Sequence, residues 1–193
     1  MYRTKILQEI INTKGYKRYL EIGTETGWLF NQLKVDYKVG VDPSEMAVCT
    51  HKMTSDDFFK QNKEKFDFIF IDGLHHAEQV KKDIANALKV LSKGGIIMMH
   101  DCLPSTKEMQ DVPRTQKEWT GDCWKAFVYY RRRKDLKMLT IGASHGLGCI
   151  RRGRQEALVV ENPTYEEFVK NQKTWLNLKT PGEFETMLKE NKI

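Results

Sequence analysis

Short, continuous apolar runs alternate along the first half of the chain with amphipathic stretches. The runs typical of buried strands occupy 18–22, 37–41, 66–72 and 96–100. The stretches with apolar residues at helical spacing occupy 3–13, 55–62 and 77–91. Gly94 and Gly95 follow the last of these stretches and predict its end. Strands that are apolar on both faces and alternate with helices predict a doubly wound, mostly parallel α/β fold.

The second half of the chain departs from this alternation. Residues 105–122 have no clear period, and a connection of this length without regular structure is usually functional, so we expect it to cover a binding crevice. The pattern after this connection predicts one helix and two strands, over 123–134, 137–142 and 146–152.

The last forty residues predict one or two amphipathic helices. We therefore expect a domain over 1–153 and a C-terminal helical extension over 154–193, packed on the same domain.

Four carboxylates stand at the ends of predicted strands: Glu21, Asp42, Asp72 and Asp101. Open parallel sheets bind their ligands at the carboxyl ends of the strands. Any one of the four could be a turn residue or a helix cap, but four in succession at one edge predict a functional crevice.

The first of these turns reads YLEIGTETG and places Glu21 directly before Gly23 and Gly27. A dinucleotide fold would instead show GxGxxG, and a carboxylate beside a diphosphate would repel it. The ligand at this turn is therefore expected to be positively charged. S-adenosylmethionine meets this requirement with its amine and sulfonium, while the glycines let the backbone approach it closely.

Asp42 and the segment after it predict the rest of a nucleoside site. A carboxylate at the end of the second strand can accept hydrogen bonds from both ribose hydroxyls, each worth roughly 1.5 to 3 kcal/mol. Ser55 and Asp56, after a short third strand, are placed to bind an adenine amino group.

Composition favours one soluble globular domain, with 193 residues of which 40% are hydrophobic and 30% charged. No run approaches the roughly 18 apolar residues of a membrane span. The first residues carry charges where a signal peptide is apolar, so we expect a cytoplasmic protein without membrane partners. The four cysteines form no CxxC pair and predict free thiols.

The formal charge of +6 leaves room for an anionic partner, and residues 131–134 and 151–154 are the densest basic stretches. We interpret these basic stretches as solvated surface or as part of a site for an anionic substrate. Nucleic-acid binding is disfavoured because no reader motif accompanies them.

Seven segments together resemble the class I S-adenosylmethionine-dependent methyltransferases, in particular the bacterial methyltransferase family 24. They are YLEIGTETG, GVDPS, MTSDDFF, FDFIFIDGLHHAEQVKKD, LSKGGIIMMHDCLP, WTGDCWK and SHGLGCIRRG, between about residues 16 and 153. The pairing of IDGLHHAEQVKKD with GGIIMMHD is the most specific part. The resemblance implies a seven-stranded sheet with a reversed last strand.

The resemblance and the predicted turns together assign cofactor contacts to Glu21, Gly23, Thr24, Gly27, Asp42, Pro43, Ser55, Asp56, Asp72, Gly73 and His75. One departure affects this site. The chain between Asp42 and Met53 is too short for the usual full helix, so this side of the site must be compressed or covered by another part of the chain.

A magnesium ion is left open. Related catechol-type enzymes bind it with a carboxylate after the fourth strand and an Asp-Asn or Asp-Asp pair after the fifth. This chain offers Asp72 and Asp101 as ligands but has Cys102 at the last position, where magnesium would prefer an oxygen.

Methyl transfer to a hydroxyl oxygen calls for a general base or a metal, and the candidates for catalysis are Asp101, His75 and His100. His75 could instead pack on the cofactor, and His100 could be a core residue. Adjacent residues at a helix start point about 100° apart, so His76 is not expected to share the crevice with His75. Trp119 and Trp124 could line an acceptor pocket, although an aromatic residue near a helix is more often part of the core. His145 is a weaker candidate for the site.

The sequence thus predicts an S-adenosylmethionine-dependent methyltransferase that O-methylates a small molecule, sugar or glycan. Three alternatives stay open: an RNA methyltransferase that uses the basic stretches, a non-catalytic module with the same fold, and an NAD-dependent dehydrogenase. The oligomeric state is also left open, a homo-oligomer included.

Overall fold

The centre of the structure, a computed structural model that describes residues 2–193, is one seven-stranded sheet. Its strands are β1 (Arg18–Ile22), β2 (Tyr37–Val41), β3 (Phe66–Ile71), β4 (Leu91–Met99), β5 (Leu136–Ile141), β6 (Leu147–Arg152) and β7 (Leu178–Lys179). Their order across the sheet is β2-β1-β3-β4-β6-β5-β7. Strands β1 to β4 pair in parallel, whereas β6 is antiparallel to both of its neighbours. The predicted α/β fold is confirmed, and the reversed strand is β6 rather than the last strand of the chain.

Helices cover both faces of the sheet. They are α1 (Tyr2–Lys14), α2 (Trp28–Gln32), α3 (Ser55–Gln61), α4 (Ala77–Val90), α5 (Cys123–Tyr130), α6 (Tyr165–Trp175) and α7 (Pro181–Lys189), with a 3-10 turn at Glu108–Gln110. Alternate strand residues face opposite sides, so Tyr19 joins the core under α1, α2 and α7, and Leu20 joins the core under α3 to α6. Both cores are continuous beneath the strand ends that carry the predicted carboxylates.

The junction of α4 and β4 differs from the prediction. The sequence pattern ended the helix at residue 91 with a glycine stop, but α4 ends at Val90, and Leu91 already pairs with Phe66. Residues 92–95 form an irregularity in the ladder, and pairing resumes at Ile96. The φ of Gly94 is 80°, so this glycine serves a bulge within the strand rather than a helix end.

The segment between β2 and α3 holds no full strand. The expected short third strand is a single parallel bridge between Val41 and His51. The backbone N–H groups of Thr50 and His51 donate to the carbonyl of Gly40 at 3.0 and 2.9 Å and hold the segment against β2. The compression predicted from its length is therefore real.

The C-terminal extension contributes a strand as well as helices, because β7 pairs in parallel with β5. Its Phe168 packs on the fully buried Trp124 at 4.3 Å between ring centroids. Trp124 is thus a core residue and not part of a pocket. Helix α5 also ends at Tyr130, earlier than predicted, where the N–H of Arg131 closes the last turn.

None of the helices within residues 2–193 combines the length and apolar character needed to cross a membrane. The cytoplasmic location and the oligomeric state stay predictions.

Candidate active site

A cavity of about 740 Å³ opens at the carboxyl ends of the parallel strands. The predicted cofactor residues that line it are Glu21, Gly23, Thr24, Asp42, Pro43, Ser55, Asp56, Asp72, Gly73 and His75. His100 and Asp101 line the same cavity. The structure thus brings nearly all predicted site residues together. Gly27 is the exception, because it forms the turn before α2 and does not belong to the described lining.

The turn after β1 depends on its glycine. Gly23 has a φ of 85°, and its N–H donates to the carbonyl of Val41 at 2.8 Å. A Cβ at this position would lie 2.1 Å from the backbone oxygen of Asp72. Only glycine allows the end of β1 to approach the end of β3 this closely. Glu21 and Asp72 are consequently held at one edge of the cavity.

Glu21 is a buried carboxyl group, with 2% of its surface exposed. The Tyr19 hydroxyl donates a hydrogen bond to Oε2 of Glu21 at 2.6 Å. Burial raises the pKa of Glu21 to about 8, outweighing the hydrogen bond from Tyr19, and the charge of Asp72 acts in the same direction as burial. The group is therefore largely protonated near neutral pH in the free protein. A cation entering the cavity would favour its ionised form.

Asp42 holds the turn that faces the cavity from β2. Its Oδ2 accepts the N–H of Glu25 and its Oδ1 accepts the N–H of Ser44, both at 2.9 Å. A carboxylate has further lone pairs on each oxygen, so Asp42 can order these loops and still accept two hydroxyl groups.

A polar network stands behind the compressed segment, at the start of α3. Ser55 Oγ donates to Oδ1 of Asp83 at 2.7 Å, and the Gln79 amide nitrogen lies 3.2 Å from acceptors on Ser55, Asp56 and Asp83. Asp83 is only 1% exposed, and burial raises its pKa to about 6. Helix α4 therefore supports the side of the site that lacks its usual helix.

Gln79 and Asp83 were not predicted as site residues. Their spacing of four along α4 places both on one helix face, which is a signal that the sequence does contain.

Asp101 is an enclosed carboxylate just after the end of β4. Its φ is 61° and its exposed fraction is 3%, so the backbone conformation is an uncommon one for a residue with a side chain. His100 Nδ1 lies 2.9 Å from Oδ1 of Asp101, and His75 Nδ1 lies 3.2 Å from Oδ2. The second contact is poorly aligned, which leaves His75 Nδ1 buried without a hydrogen-bond partner among the described residues.

Asp72, at the end of β3, faces three basic groups. Arg3 Nη1 donates to its Oδ2 at 2.8 Å, and its Oδ1 lies 3.3 Å from His100 Nδ1 and 3.4 Å from His75 Nε2. Burial alone would raise the pKa of Asp72, but the charge and hydrogen bond of His100 outweigh it and hold the pKa well below its usual range. Asp72 is therefore ionised.

The two histidines respond to the same carboxylates. Burial lowers the pKa of His100, but Asp72 and Asp101 outweigh it and raise the value to about 9. The pKa of His75 is raised against burial for the same reason, chiefly by its hydrogen bond with Asp72. His100 is consequently an imidazolium near neutral pH, which makes it a poor proton acceptor.

The connection 105–122 lies over this cluster. Trp119 stacks on the ring of His75 with centroids 5.2 Å apart, and its Nε1 donates to the carbonyl of Asp111. Gly121 has a φ of 58°, and a Cβ there would lie 1.8 Å from the backbone oxygen of His75. The expected cover over the crevice is present, and Trp119 lines the cavity as predicted.

Three further cavity residues bear on the predictions. Arg3 and Arg114 also line the cavity. No local sequence signal predicts either residue, because Arg3 reaches the cavity from α1 and Arg114 reaches it from the connection 105–122. His145 also lines it, from the β5–β6 corner. His76 precedes α4 and is not part of the described lining.

Residues 20–102 match the family model described as "Methyltransferase domain", methyltransferase family 24. The matched segment includes most of β1, all of β2 to β4 and all the carboxylates of the cavity. Over this segment the chain is similar to the methyltransferase domain of that family. The resemblance predicted from its motifs is confirmed.

Solved structures share the fold. A putative caffeoyl-CoA O-methyltransferase from Staphylococcus aureus superposes with a TM-score of 0.63 at 15% identity, over 79% of this chain and 84% of that one. The O-methyltransferase from Bacillus cereus in complex with SAH gives 0.55 at 18% identity, over 77% and 79%. TomG from Streptomyces achromogenes, an O-methyltransferase in complex with SAM, gives 0.58 at 18% identity, over 78% and 79%. Curated proteins give no significant match.

The donor set at this end of the cavity is a poor match to the oxygen ligands that magnesium prefers. One atom each of Asp72, His75 and Asp101 lie within 4.8 Å of one another, but the third donor is a nitrogen. Cys102 is fully buried, and burial raises the pKa of its thiol far above the usual range. The carboxylates already face basic side chains. These residues therefore supply two carboxylates and no third oxygen ligand.

The basic stretches are largely engaged within the domain. Arg131 donates to the carbonyl of Met138, and Arg152 donates to that of Leu88. Arg132 lies 3.5 Å from Glu161. These contacts favour the reading as ordinary surface, and the RNA alternative gains no support from them.

Proposed function

We propose that the protein transfers the methyl group of S-adenosylmethionine to a hydroxyl oxygen of a small molecule, sugar or glycan. One observation carries this proposal. The buried Glu21 beside a glycine turn and the enclosed carboxylate of Asp101 line the same cavity. The first suits a cationic cofactor and the second suits a reacting hydroxyl.

The cofactor would lie along the turn after β1. Its amine and sulfonium face the Glu21 side, its ribose hydroxyls reach Asp42, and its adenine lies towards Ser55 and Asp56. The SAM and SAH named for the TomG and B. cereus structures support S-adenosylmethionine as the cofactor, because those proteins share the fold.

Asp101 is the proposed proton acceptor. As the acceptor oxygen forms its bond to the methyl carbon, the carbon–sulfur bond breaks and its electron pair stays on sulfur. The hydroxyl proton becomes strongly acidic at this stage, so a carboxylate within reach can take it. His100 is already protonated. Both ring nitrogens of His75 face carboxylates, which makes it a partner of Asp101 and Asp72.

Positioning provides the main acceleration, as expected for an in-line displacement. Holding donor and acceptor in line can supply about 7 to 11 kcal/mol of the barrier. Trp119 and the connection 105–122 cover the reacting groups and restrict the acceptor. His145 and Arg114 line the open side, where the remainder of the acceptor would lie.

The test is formation of S-adenosylhomocysteine with a panel of phenols, monosaccharides, oligosaccharides and RNA. We expect product with one or more hydroxyl acceptors and none with RNA, together with binding of the free cofactor. Transfer to RNA would favour the alternative enzyme class. Absence of both transfer and cofactor binding would favour a non-catalytic module.

A further inference from the structure

Arg3 reaches the carboxylate cluster from α1, a segment distant in sequence from both Asp72 and Asp101. It lies in the first turn of α1, 69 positions before Asp72 in sequence, and its guanidinium lies 5.6 Å from the ring of Phe70. Ile6, Leu7 and Ile10 bury the same helix against the sheet. The packing of α1 on the sheet therefore fixes the position of Arg3.

Basic side chains already occupy both carboxylates of the cluster. Arg3 Nη1 lies 2.8 Å from Oδ2 of Asp72, and His100 Nδ1 lies 2.9 Å from Oδ1 of Asp101. A divalent cation would have to displace both contacts, and the position after Asp101 offers it the buried thiol of Cys102 in place of an oxygen ligand. The chemistry of the donor set thus disagrees with the magnesium site implied by the catechol-type relatives.

Arg3 also faces the cavity. Its side chain is 21% exposed and lines the cavity, and only Nη1 has a hydrogen-bond partner among the described residues. The remaining N–H groups can donate to an oxygen atom in the cavity. A guanidinium in this place can orient a hydroxyl and stabilise negative charge on its oxygen, which are two of the roles of a metal ion.

We infer that the guanidinium of Arg3 takes the place of the divalent cation of the catechol-type relatives, so that this methyltransferase domain acts without a metal. Arg3 fixes Asp72 through one N–H group and binds the acceptor oxygen through another. This inference rests on the proposed function for its catalytic part, but not for its prediction about metal binding.

The first test is calorimetric titration of the purified protein with magnesium chloride and manganese chloride, with elemental analysis of the protein as isolated. We expect no saturable binding and no stoichiometric metal. One ion bound per chain, lost when Asp72 is replaced by Asn, would overturn the inference. This outcome does not depend on knowing the acceptor.

The second test uses Arg3→Met and Arg3→Lys, with Lys5→Met as the matched control because Lys5 is an exposed residue of the same helix. Loss of charge-assisted hydrogen bonds predicts a fall in kcat of about tenfold to a hundredfold in Arg3→Met, with partial recovery in Arg3→Lys. The S-adenosylhomocysteine affinity of both Arg3 variants should stay near wild type, and Lys5→Met should match the wild type in every measurement. Arg3→Met should lower the unfolding temperature, because it leaves Asp72 without its ion-pair partner.

Chelation separates the two proposals. We expect transfer to be unchanged by EDTA in the wild-type protein. If EDTA abolishes transfer and manganese restores it, the role of Arg3 is wrong but the proposed function stands. If no hydroxyl acceptor is methylated, the proposed function fails, while the metal titration still decides whether the cluster takes an ion.

Discussion

The proposed cofactor half and the proposed acceptor half of the cavity are built in different ways. The cofactor half, with Glu21, Gly23 and Asp42, comes from turns that directly follow two adjacent parallel strands. The acceptor half, with Arg3 and Asp101, gathers side chains from α1, the end of β4 and the connection 105–122. Local turn chemistry therefore fixes the first half, and long-range packing fixes the second.

This difference teaches that the two functions can be lost separately. A change in the acceptor half should remove transfer and leave cofactor affinity intact. A change in the cofactor half should lower affinity for the cofactor whatever acceptor is present.

Asp101→Asn should give the largest effect. The amide is nearly isosteric but cannot accept the hydroxyl proton, so we expect transfer to fall by about a hundredfold or more. Calorimetry should show S-adenosylhomocysteine affinity within about twofold of wild type, well under the tenfold that 1.4 kcal/mol represents. A parallel loss of affinity would show that the two halves are not separable.

Gly121→Ala tests the cover over the acceptor half. The new methyl group would meet the backbone of His75, and the positive φ adds strain, so we expect a loss of stability of about 1 to 3 kcal/mol. Transfer should fall more than cofactor affinity. Gly182→Ala is the matched control, since the space around that residue is open, and its thermal unfolding should be unchanged or slightly improved.

The carboxylate–histidine cluster predicts a pH dependence of stability. The pKa of His100 is raised to about 9 in the folded protein from its ordinary value of 6.5, so its contribution is fully present below the ordinary value. It is lost as pH rises through the folded value. The unfolding temperature of the wild type should therefore fall as the pH rises over this interval. The unfolding temperature of His100→Gln should fall less. Equal slopes for the two proteins would contradict the assignment.

Glu21 predicts a smaller effect, proton release when the cofactor binds. Its pKa of about 8 leaves it protonated at neutral pH, and a cationic ligand should lower this pKa. Calorimetry with S-adenosylmethionine in two buffers of different ionisation enthalpy should reveal release of up to about one proton. Glu21→Gln should remove the release. A wild-type enthalpy independent of the buffer would argue against a cation at this turn.

The same division explains what the sequence could predict. Strand ends and glycine turns leave a local signal in the sequence. The alternation of strands and helices alone therefore predicts Glu21, Asp42 and Asp101 as site residues. Arg3 and Arg114 give no local signal, because their place in the cavity depends on how distant segments pack.

One error follows from a signal with more than one structural meaning. The glycine pair after α4 predicts a helix stop, but Gly94 serves a strand bulge, since both need a positive φ. Trp124 fits a pocket or a core position by sequence, because an aromatic residue on a helix suits either environment, and it lies in the core.

The most direct test of the account is calorimetric titration with S-adenosylmethionine and S-adenosylhomocysteine, using the wild type and Asp42→Ala. The account predicts saturable binding of both ligands at one site, with affinity at least about tenfold weaker in the variant because hydrogen bonds to a charged group are lost. Circular dichroism should confirm that the variant is folded. No binding to the wild type, or equal binding to a folded variant, would contradict the central claim that this cavity holds the cofactor.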